Sequence, residues 1–511
     1  MFDFLKKKKN VSARVDAYNK GNTEIALTKK LDENLAVMKK LFEDVEIMRY
    51  KTFEDKNRNR YAIVFSEGVV DAAIINDNIL RPIMAQAEIP EGEMERLVGE
   101  VVQINESKLS GAFKDIITSV SYGDTILFAD GSKEAAILNT KSFPVRAIDE
   151  PDSEKNLAGP REGFTEAIMQ NFSMLRRRAR TNDLKVRQLS LGRRTHTTVL
   201  VCYLGELVKG DVLNELMRRL NAIDMDGVLD SNYVSEMIND HKRSLFRTIG
   251  TTEKPDVVIS KLLEGRIAIL VDGSPNVLTV PFLWVENFQA SEDYYLNYYY
   301  TSFSRMLRML GFFMTIAVPG IYVATVAFHH EMLPTSLLIN ISIERQNVPL
   351  PAGLECFVLL IVFEILRETG VRMPTNIGQA LSIVGALVIG QAAVEAKLVA
   401  APMIIVVGIT GITNLLCPKI RSPIVYIRLF VLLLSSMFGF FGFTIGMSLM
   451  IIHMVKLSSF GVPMIKADGI TAVKHHDDLA MRAPWWMMTQ RTDELTGNLT
   501  RMANKENKDE G

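Results

Sequence analysis

The sequence from Ile424 to Val455, IVYIRLFVLLLSSMFGFFGFTIGMSLMIIHMV, decides the class of fold. Arg428 is its one charged side chain, and a helix that spans a bilayer needs about 20 mainly apolar residues. As one straight helix it would extend about 48 Å. Its glycines, Gly439, Gly442 and Gly446, leave two predictions open, one long tilted helix or a tight hairpin. In both cases this part of the chain is predicted to lie in a membrane.

Charge is scarce in the whole region around this run. Residues 309–460 contain 8 of the 58 lysine and arginine residues and 6 of the 59 aspartate and glutamate residues. The net charge of −1 and the mean hydropathy of +0.12 therefore average a polar half and an apolar half. This asymmetry excludes a purely soluble enzyme, and the net charge gives no overall attraction to nucleic acid.

The apolar half is predicted to be an α-helical multi-pass membrane domain with four or five spans. Leu354–Leu366 is the weakest candidate, because it is short and holds two acids. The candidate runs are Met309–Phe328, Leu354–Leu366, Ile377–Val394, Leu398–Cys417 and Ile424–Val455. The proline-containing stretch Leu333–Pro351 is predicted to be a re-entrant or interfacial loop.

The basic residues predict the orientation of these spans. Tyrosines together with Arg305 and Arg308, just before the first span, are typical of a headgroup anchor. If the spans alternate, five basic residues fall on the side of the N-terminal half, and Arg345 and Lys397 fall opposite. The positive-inside rule then places the N-terminal half in the cytoplasm. The side of the C-terminal tail depends on how Ile424–Val455 is threaded.

Polar residues in or beside the apolar runs are candidates for lining a pore or coupling its motion. An acid buried in lipid is costly, so it usually faces a protein interior or water. The candidates are Glu355, Glu364, Gln391 and Glu395. For Glu364 the alternative is an ion pair with Arg367 or Arg372, and for Glu395 it is solvation at the interface.

Small residues repeat at every fourth position in one of the apolar runs. They are Gly378, Ser382, Ala386 and Gly390. Such stripes let helix backbones approach closely, which drives helix association in lipid. We predict a helix-contact stripe, either within the chain or between copies of it.

The polar half is predicted to be α/β, with two similar subdomains. Tyr61–Phe65 and Thr198–Tyr203 are both buried-strand patterns followed by a turn and an amphipathic helix. Thr125–Ala129 and Ile267–Val271 both lead into Asp-Gly-Ser, and Asp-Gly is a strong hairpin signal. The two kinds of match have nearly the same offset along the chain. An internal duplication explains them, and the alternative is chance similarity of common strand–turn patterns.

A basic segment near the start of the second subdomain is a possible interface. Its candidate residues are Arg161, Glu162, Arg176, Arg177 and Arg178. They could bind acids of a neighbouring subunit or lipid phosphates, or they could form a solvated helix face. Nucleic acid is disfavoured as a partner, because no aromatic residues alternate with the arginines.

No catalytic, metal or cofactor site is predicted. The phosphate-loop, nucleophile-elbow and zinc-protease motifs are missing from the sequence. The three cysteines form no CxxC pair. We therefore predict a protein that is not an enzyme.

Together these patterns divide the chain into six predicted parts. They are a basic N-terminal segment (1–30), α/β subdomain 1 (31–150), α/β subdomain 2 (151–290), an amphipathic aromatic linker (291–308), the transmembrane domain (309–457) and a C-terminal tail (458–511).

Several of these segments resemble one known family over almost the whole chain. The matching segments are Gly159–Phe164 with Arg176–Arg178, Phe328–Pro334, Glu344–Pro349, Phe363–Arg372 and, most specifically, Ile377–Ala396. They are similar to the A subunits of the spore germination receptors, the GerA family.

The resemblance implies a multi-pass protein of the inner membrane of bacterial endospores. In this family the A subunit works with a transporter-like B subunit, thought to sense the nutrient, and a lipoprotein C subunit. The A subunit is thought to form a homo-oligomer with a gated ion pathway, and release of cations begins germination. The resemblance does not separate a receptor subunit from a SpoVAF-like paralogue. Two alternatives stay open: a membrane scaffold without its own channel, or a small-solute transporter.

Overall fold

The structure is a computed structural model that describes residues 25–85, 93–142, 154, 158–372, 388–465, 478 and 481–501. Ten strands in the polar half form two sheets. The strands are β1 Met48–Glu54, β2 Arg60–Ser66, β3 Ser107–Ser110, β4 Thr125–Ala129, β5 Ala135–Leu138, β6 Leu184–Leu191, β7 Thr197–Leu204, β8 Gly250–Thr252, β9 Ile267–Val271 and β10 Val277–Val280. Both sheets are antiparallel and share one strand order, β1-β2-β4-β5-β3 and β6-β7-β9-β10-β8.

The helices of the polar half repeat in the same way. The helices are α1 Leu31–Leu41, α2 Ala72–Ile74, α3 Arg81–Ala85, α4 Met94–Arg96, α5 Phe113–Tyr122, α6 Ile168–Arg178, α7 Gly210–Asn221, α8 Ser231–Ile238 and α9 Pro255–Leu263. The π-helical segments Ile75–Leu80 and Leu97–Val101 join α2 to α3 and extend α4. Each lobe therefore runs helix, two strands, two helical regions, strand, helix, two strands. This repetition of order agrees with the predicted duplication.

The Asp-Gly turns of the two lobes make equivalent hydrogen bonds. The carboxylate of Asp130 accepts from the backbone N–H of Leu31 at 3.0 Å, and that of Asp272 accepts from Ile168 at 3.2 Å. Both predicted hairpins are present, but their loops are longer than two residues, and the positive φ falls on Gly131 (81°). The aspartates instead cap α1 and α6, which joins each hairpin to the first helix of its lobe.

A second repeated contact joins the first helix of each lobe to the residues just before it. The side chain of Asn34 accepts from the N–H of Thr28 at 2.9 Å and donates to its carbonyl at 2.7 Å. In the second lobe Asn171 makes the same two contacts with Thr165, at the corresponding place before α6. This threonine–asparagine pair was not recognised in the sequence.

The two sheets enclose one shared core. Along β2, Ala62 and Val64 belong to this central core, whereas Ile63 belongs to a separate outer core. Along β7, Leu200 faces the central core, together with residues of α1, α5, α6 and α9. Successive residues of a strand point to opposite faces. Burial on both faces explains why these strands are continuous apolar runs.

The apolar half is a bundle of helices. The described helices with full bounds are α10 Tyr298–Phe328, α11 Thr335–Arg345, α12 Ala352–Arg372, α13 Ala401–Leu415 and α14 Arg421–Val455, and residues 388–395 are also helical. The first of these begins well before the predicted span, inside the predicted linker. Leu333–Pro351, predicted as a loop, contains α11.

The run Ile424–Val455 folds as the tight hairpin, the second of the two predicted alternatives. Gly439 has φ 61° and ψ −137°, which breaks the helix. A Cβ placed on Gly446 would lie 3.4 Å from the Cα of Val431. In a straight helix these two positions would be about 22 Å apart, so the two arms of α14 must run side by side.

The hairpin brings the C-terminal tail back to the second lobe. Ser458 donates its backbone N–H to His241, and Thr496 donates its hydroxyl to the carbonyl of Leu207. The tail therefore lies on the same side of the bundle as the N-terminal half, a question that the sequence left open.

Two stretches of the described residues are long and apolar enough to cross a membrane. They are Tyr298–Phe328 and Pro418–Val455, and Ala401–Leu415 is apolar but shorter. These stretches fit a membrane protein. Most of the predicted span Ile377–Val394 lies outside the described residues.

Candidate functional site

A buried cluster of charges lies between α12 and α14 in the apolar bundle. Glu364 Oε1 accepts from Arg428 Nη2 at 2.7 Å, and Glu364 Oε2 lies 2.6 Å from Arg367 Nη2. The Arg428 side chain is fully buried. Arg421, at the start of α14, lies close enough to Glu364 and Arg367 for their charges to interact. We call these four residues the arginine cluster.

For Glu364 the sequence suggested an ion pair with Arg367 or Arg372, and one of these two pairs is present. The ion pair with Arg367 is present, whereas Arg372 pairs with Glu368 one turn further along α12. The second partner, Arg428, is remote in the chain, so no local spacing could have indicated it. Glu364 thus ties two helices of the bundle together.

Glu355 forms a second buried contact at the start of α12. Its carboxylate is fully buried and accepts from Arg345 Nη1 at 2.8 Å and from the backbone N–H of Ala400 at 2.6 Å. A buried carboxylate needs such partners, because losing them would leave its charge uncompensated. This contact joins α11, α12 and the segment before α13.

Gln391 and Glu395 lie together on an exposed face of the helix at 388–395. The amide of Gln391 donates to the carboxylate of Glu395 at 3.0 Å. Among the small residues of the predicted stripe, Gly390 is described, and a Cβ on it would meet the side chain of Ile404. Gly378, Ser382 and Ala386 lie outside the described residues.

The basic segment of the second lobe makes contacts within the chain. Arg177 and Arg178 both bind the carboxylate of Glu162 at 2.5 Å. Burial would raise the pKa of Glu162, but the hydrogen bonds from these arginines outweigh burial and lower it. Arg176 is fully buried and donates to two backbone carbonyls, and burial lowers its pKa to about 10. Arg161 is exposed.

Charged pairs also join the start of α10 to the segment before it and to the C-terminal tail. Arg305 is fully buried and binds Asp293 at 2.8 Å and Asp478 at 2.6 Å, and Arg308 binds Asp293 at 2.5 Å. The expectation that these two arginines contact lipid headgroups was therefore wrong. Asp293 precedes both arginines by less than 20 residues, and this nearby acid could have indicated that they form ion pairs within the chain.

A neighbouring buried acid belongs to the same junction. Glu286 pairs with Lys261 at 2.7 Å and with Arg266. Burial would raise the pKa of Glu286, but the two cations lower it to about 2. Just beyond, Lys419 donates to the carbonyl of Gln289 at 2.8 Å, which joins the start of the hairpin to this junction.

The contacts described above are ion pairs and hydrogen bonds that join helices and segments of the chain. Among the described residues, no three His, Cys, Asp or Glu side chains form a group that could hold a metal ion. The charged residues that sequence reasoning missed, Glu286, Asp293 and Asp478, all lie where the polar half meets the apolar half.

A family model and several known proteins match most of the chain. Residues 34–494 match the family model described as Bacillus/Clostridium GerA spore germination protein. The chain is 38% identical over 474 residues to the uncharacterized membrane protein YfkQ of Bacillus subtilis (strain 168), covering 92% of both chains. It is 36% identical over 478 residues to spore germination protein KA of the same organism, covering 92% of this chain and 88% of the relative.

One solved structure is also similar to the chain. It is the N-terminal domain of the A subunit of the Bacillus megaterium spore germinant receptor GerK3. The identity is 31% and the TM-score is 0.42, and the match covers 51% of this chain and 98% of that one.

Proposed function

Because the chain belongs to the GerA family of spore germination proteins, we propose that it is the A subunit of a nutrient germinant receptor. In this proposal it acts in the spore inner membrane with a transporter-like B subunit and a lipoprotein C subunit. Copies of the chain assemble into an oligomer with a gated ion pathway, and its opening starts germination.

The arginine cluster is the observation that carries the gating part of the proposal. Charged residues inside a membrane bundle are rare and often mark functional sites, because burying them is costly. Glu364 joins α12 to the first arm of α14. Any opening motion that separates these two helices must break the ion pair between Glu364 and Arg428. We therefore assign Glu364 a coupling role, in which it holds the closed arrangement.

The exposed polar face at 388–395 supports an ion pathway between copies rather than within one. Gln391 and Glu395 are exposed and hydrogen-bonded to each other on the helix at 388–395. A water-filled path between subunits would solvate them. The small residues Gly378, Ser382 and Ala386 would then pack against the neighbouring copy, whereas Gly390, the fourth residue of the stripe, faces Ile404 of the same chain. Glu355 would serve the structure of each subunit.

In the same proposal the chain crosses the membrane several times with both lobes in the cytoplasm. The C-terminal tail would lie in the cytoplasm too, because the hairpin returns it to the side of the lobes. The basic residues near the ends of α12 and α14 then face the cytoplasm, as the positive-inside rule requires. The basic segment around Arg161 remains a candidate surface for partner subunits.

The test compares spores that carry Glu364→Gln with spores that carry Glu368→Gln. Both changes remove one carboxylate from α12, but Glu368 is 57% exposed and pairs with Arg372 on the same helix. We expect Glu364→Gln to change nutrient-triggered cation release while the B and C subunits still co-purify. Glu368→Gln should behave as wild type.

A second candidate function is a scaffold or small-solute transporter of the germination machinery, as for a SpoVAF-like paralogue. The internal contacts of Glu355 and Glu364 favour it, since they are also what a purely structural role needs. If Glu364→Gln spores assembled and released cations normally, and liposomes with all subunits never conducted ions, this alternative would replace the channel.

A further inference from the structure

The arginine cluster carries more positive than negative charge. It combines three guanidinium groups with one carboxylate, so its net charge is +2. Arg421 begins α14 just after Lys419, which contacts the second lobe. Arg428 lies two helical turns, or about 10 Å, further into the bundle. The cluster thus extends inward from the end of the bundle next to the polar half.

Several donors of the cluster are buried without an acceptor. Within the described part of the chain, Arg428 Nε and Nη1, Arg367 Nη1 and Arg421 Nε have no hydrogen-bond partner. Arg428 is fully buried. Buried charges are otherwise paired and hydrogen-bonded, because desolvation without a partner is costly. These donors therefore lack acceptors, and the net charge of +2 favours an anion as the group that supplies them.

The remaining acids of residues 309–460 are placed elsewhere. Glu355 binds Arg345, Glu368 binds Arg372, and Glu395 binds Gln391. Glu331 and Glu344 follow the end of α10 that is remote from the second lobe. Residues 373–387 contain no acid. Nothing in the described part of the apolar half therefore supplies the missing charge.

We propose that the arginine cluster binds the phosphate group of an anionic membrane lipid. Guanidinium groups match the oxygens of a phosphate with paired hydrogen bonds. Basic pockets between membrane helices on the cytoplasmic side bind such headgroups. The Arg367 side chain is 23% exposed, so the cluster opens to the surface. Exposed apolar side chains nearby, Ile365 and Tyr426, provide a surface for the acyl chains.

This inference rests on the membrane placement in the proposed function and is independent of ion conduction. A free phosphate ion offers the same chemistry as a lipid phosphate, so the experiment must separate the two. A carboxylate of a partner subunit is the other way to neutralise the cluster. In that case the isolated protein would not prefer anionic lipid.

The experiment uses the purified full-length chain in non-ionic detergent, stripped of lipid. Phosphatidylglycerol, phosphatidylcholine or inorganic phosphate is added, and bound phosphorus and the thermal midpoint are measured. The variants are Arg421→Gln and Arg421→Lys, with Arg372→Gln as the control. Arg372 lies on α12 like Arg367, but it is 77% exposed and paired with Glu368.

We expect wild type and Arg372→Gln to bind phosphatidylglycerol and to be stabilised by it. Arg421→Gln should bind about five-fold more weakly, and Arg421→Lys should recover most of the binding. Equal binding of phosphatidylcholine, or equal weakening by Arg372→Gln and Arg421→Gln, would overturn the proposal. Saturation by inorganic phosphate alone would overturn the lipid assignment.

Failure of this inference differs visibly from failure of the proposed function. A chain that does not float with lipid vesicles contradicts the membrane placement and therefore both. A chain that binds phosphatidylglycerol through Arg421 but never supports ion conduction contradicts only the channel.

Discussion

Two cysteines placed across the hairpin of α14 should form a disulfide bond. The change is Val431→Cys with Gly446→Cys, in a background where Cys202, Cys356 and Cys417 are replaced by alanine. A Cβ on residue 446 lies 3.4 Å from the Cα of residue 431, and disulfides join Cα atoms about 4.4–6.8 Å apart. In one continuous helix the two positions would be about 22 Å apart.

The assay is oxidation of the protein in its membrane, followed by intact-mass measurement and thiol labelling. The matched control is Tyr426→Cys with Phe441→Cys, a pair with the same separation along the chain and two exposed positions. In the hairpin these two positions differ by about 16 Å along the arms, so they should stay unlinked. The disulfide should form rapidly in the first pair and be negligible in the second.

Equal linking of both pairs, or of neither, would refute the hairpin. So would a label distance of about 22 Å between positions 431 and 446. A straight α14 would move its C-terminal end to the other side of the membrane. The contacts of Ser458 and Thr496 with the second lobe could then not exist.

Three further predictions concern stability and the duplication. The free energy of unfolding should fall as the pH drops from 4.5 towards about 2, because folding lowers the pKa of Glu286 from 4.5 to about 2 and the ionised form stabilises the fold. In chemical unfolding at several pH values, Glu286→Gln should abolish this part of the pH dependence. Asp293→Asn, which removes the carboxylate shared by Arg305 and Arg308, should cost about 3–5 kcal/mol. Asp224→Asn, in an exposed pair, should leave the melting temperature almost unchanged in the same experiment, because solvent screens exposed ion pairs. Asn34→Ala and Asn171→Ala should each cost about 2 kcal/mol, since each leaves two backbone groups without a partner; strongly unequal costs would contradict their equivalence.

The features that sequence reasoning predicted are those fixed by local pattern. The strands are continuous apolar runs because they are buried on both faces. The runs Tyr61–Phe65 and Thr198–Tyr203 could therefore be predicted as strands from the sequence. The Asp-Gly turns marked both hairpins, since glycine there takes a positive φ. The duplication followed from matching these local patterns at a nearly constant offset.

The features that sequence reasoning missed depend on contacts between distant residues. Arg428 forms an ion pair with Glu364, and Asp478 forms one with Arg305, although long stretches of chain separate the partners. Neither spacing has a local signature. The hairpin was undecided for a related reason: three glycines permit a turn, but only packing of one arm on the other selects Gly439. Arg305 was assigned to lipid because an arginine near a span usually lies at the headgroups, whereas here two acids compensate its burial.

The charges at the junction determine how a signal could pass between the two halves of the chain. Residues 291–308 were predicted to be a linker, but α10 begins at Tyr298 and continues without a break to Phe328. Because Arg305 is held by Asp293 and Asp478, the first turns of this helix are fixed to the segment before it and to the tail. Arg308 also donates to the carbonyl of Phe288, at the end of the second lobe, at 2.6 Å. Lys419 fixes the start of the hairpin to the same region. A flexible linker would absorb a displacement of the lobes, whereas these contacts pass it directly to α10 and α14.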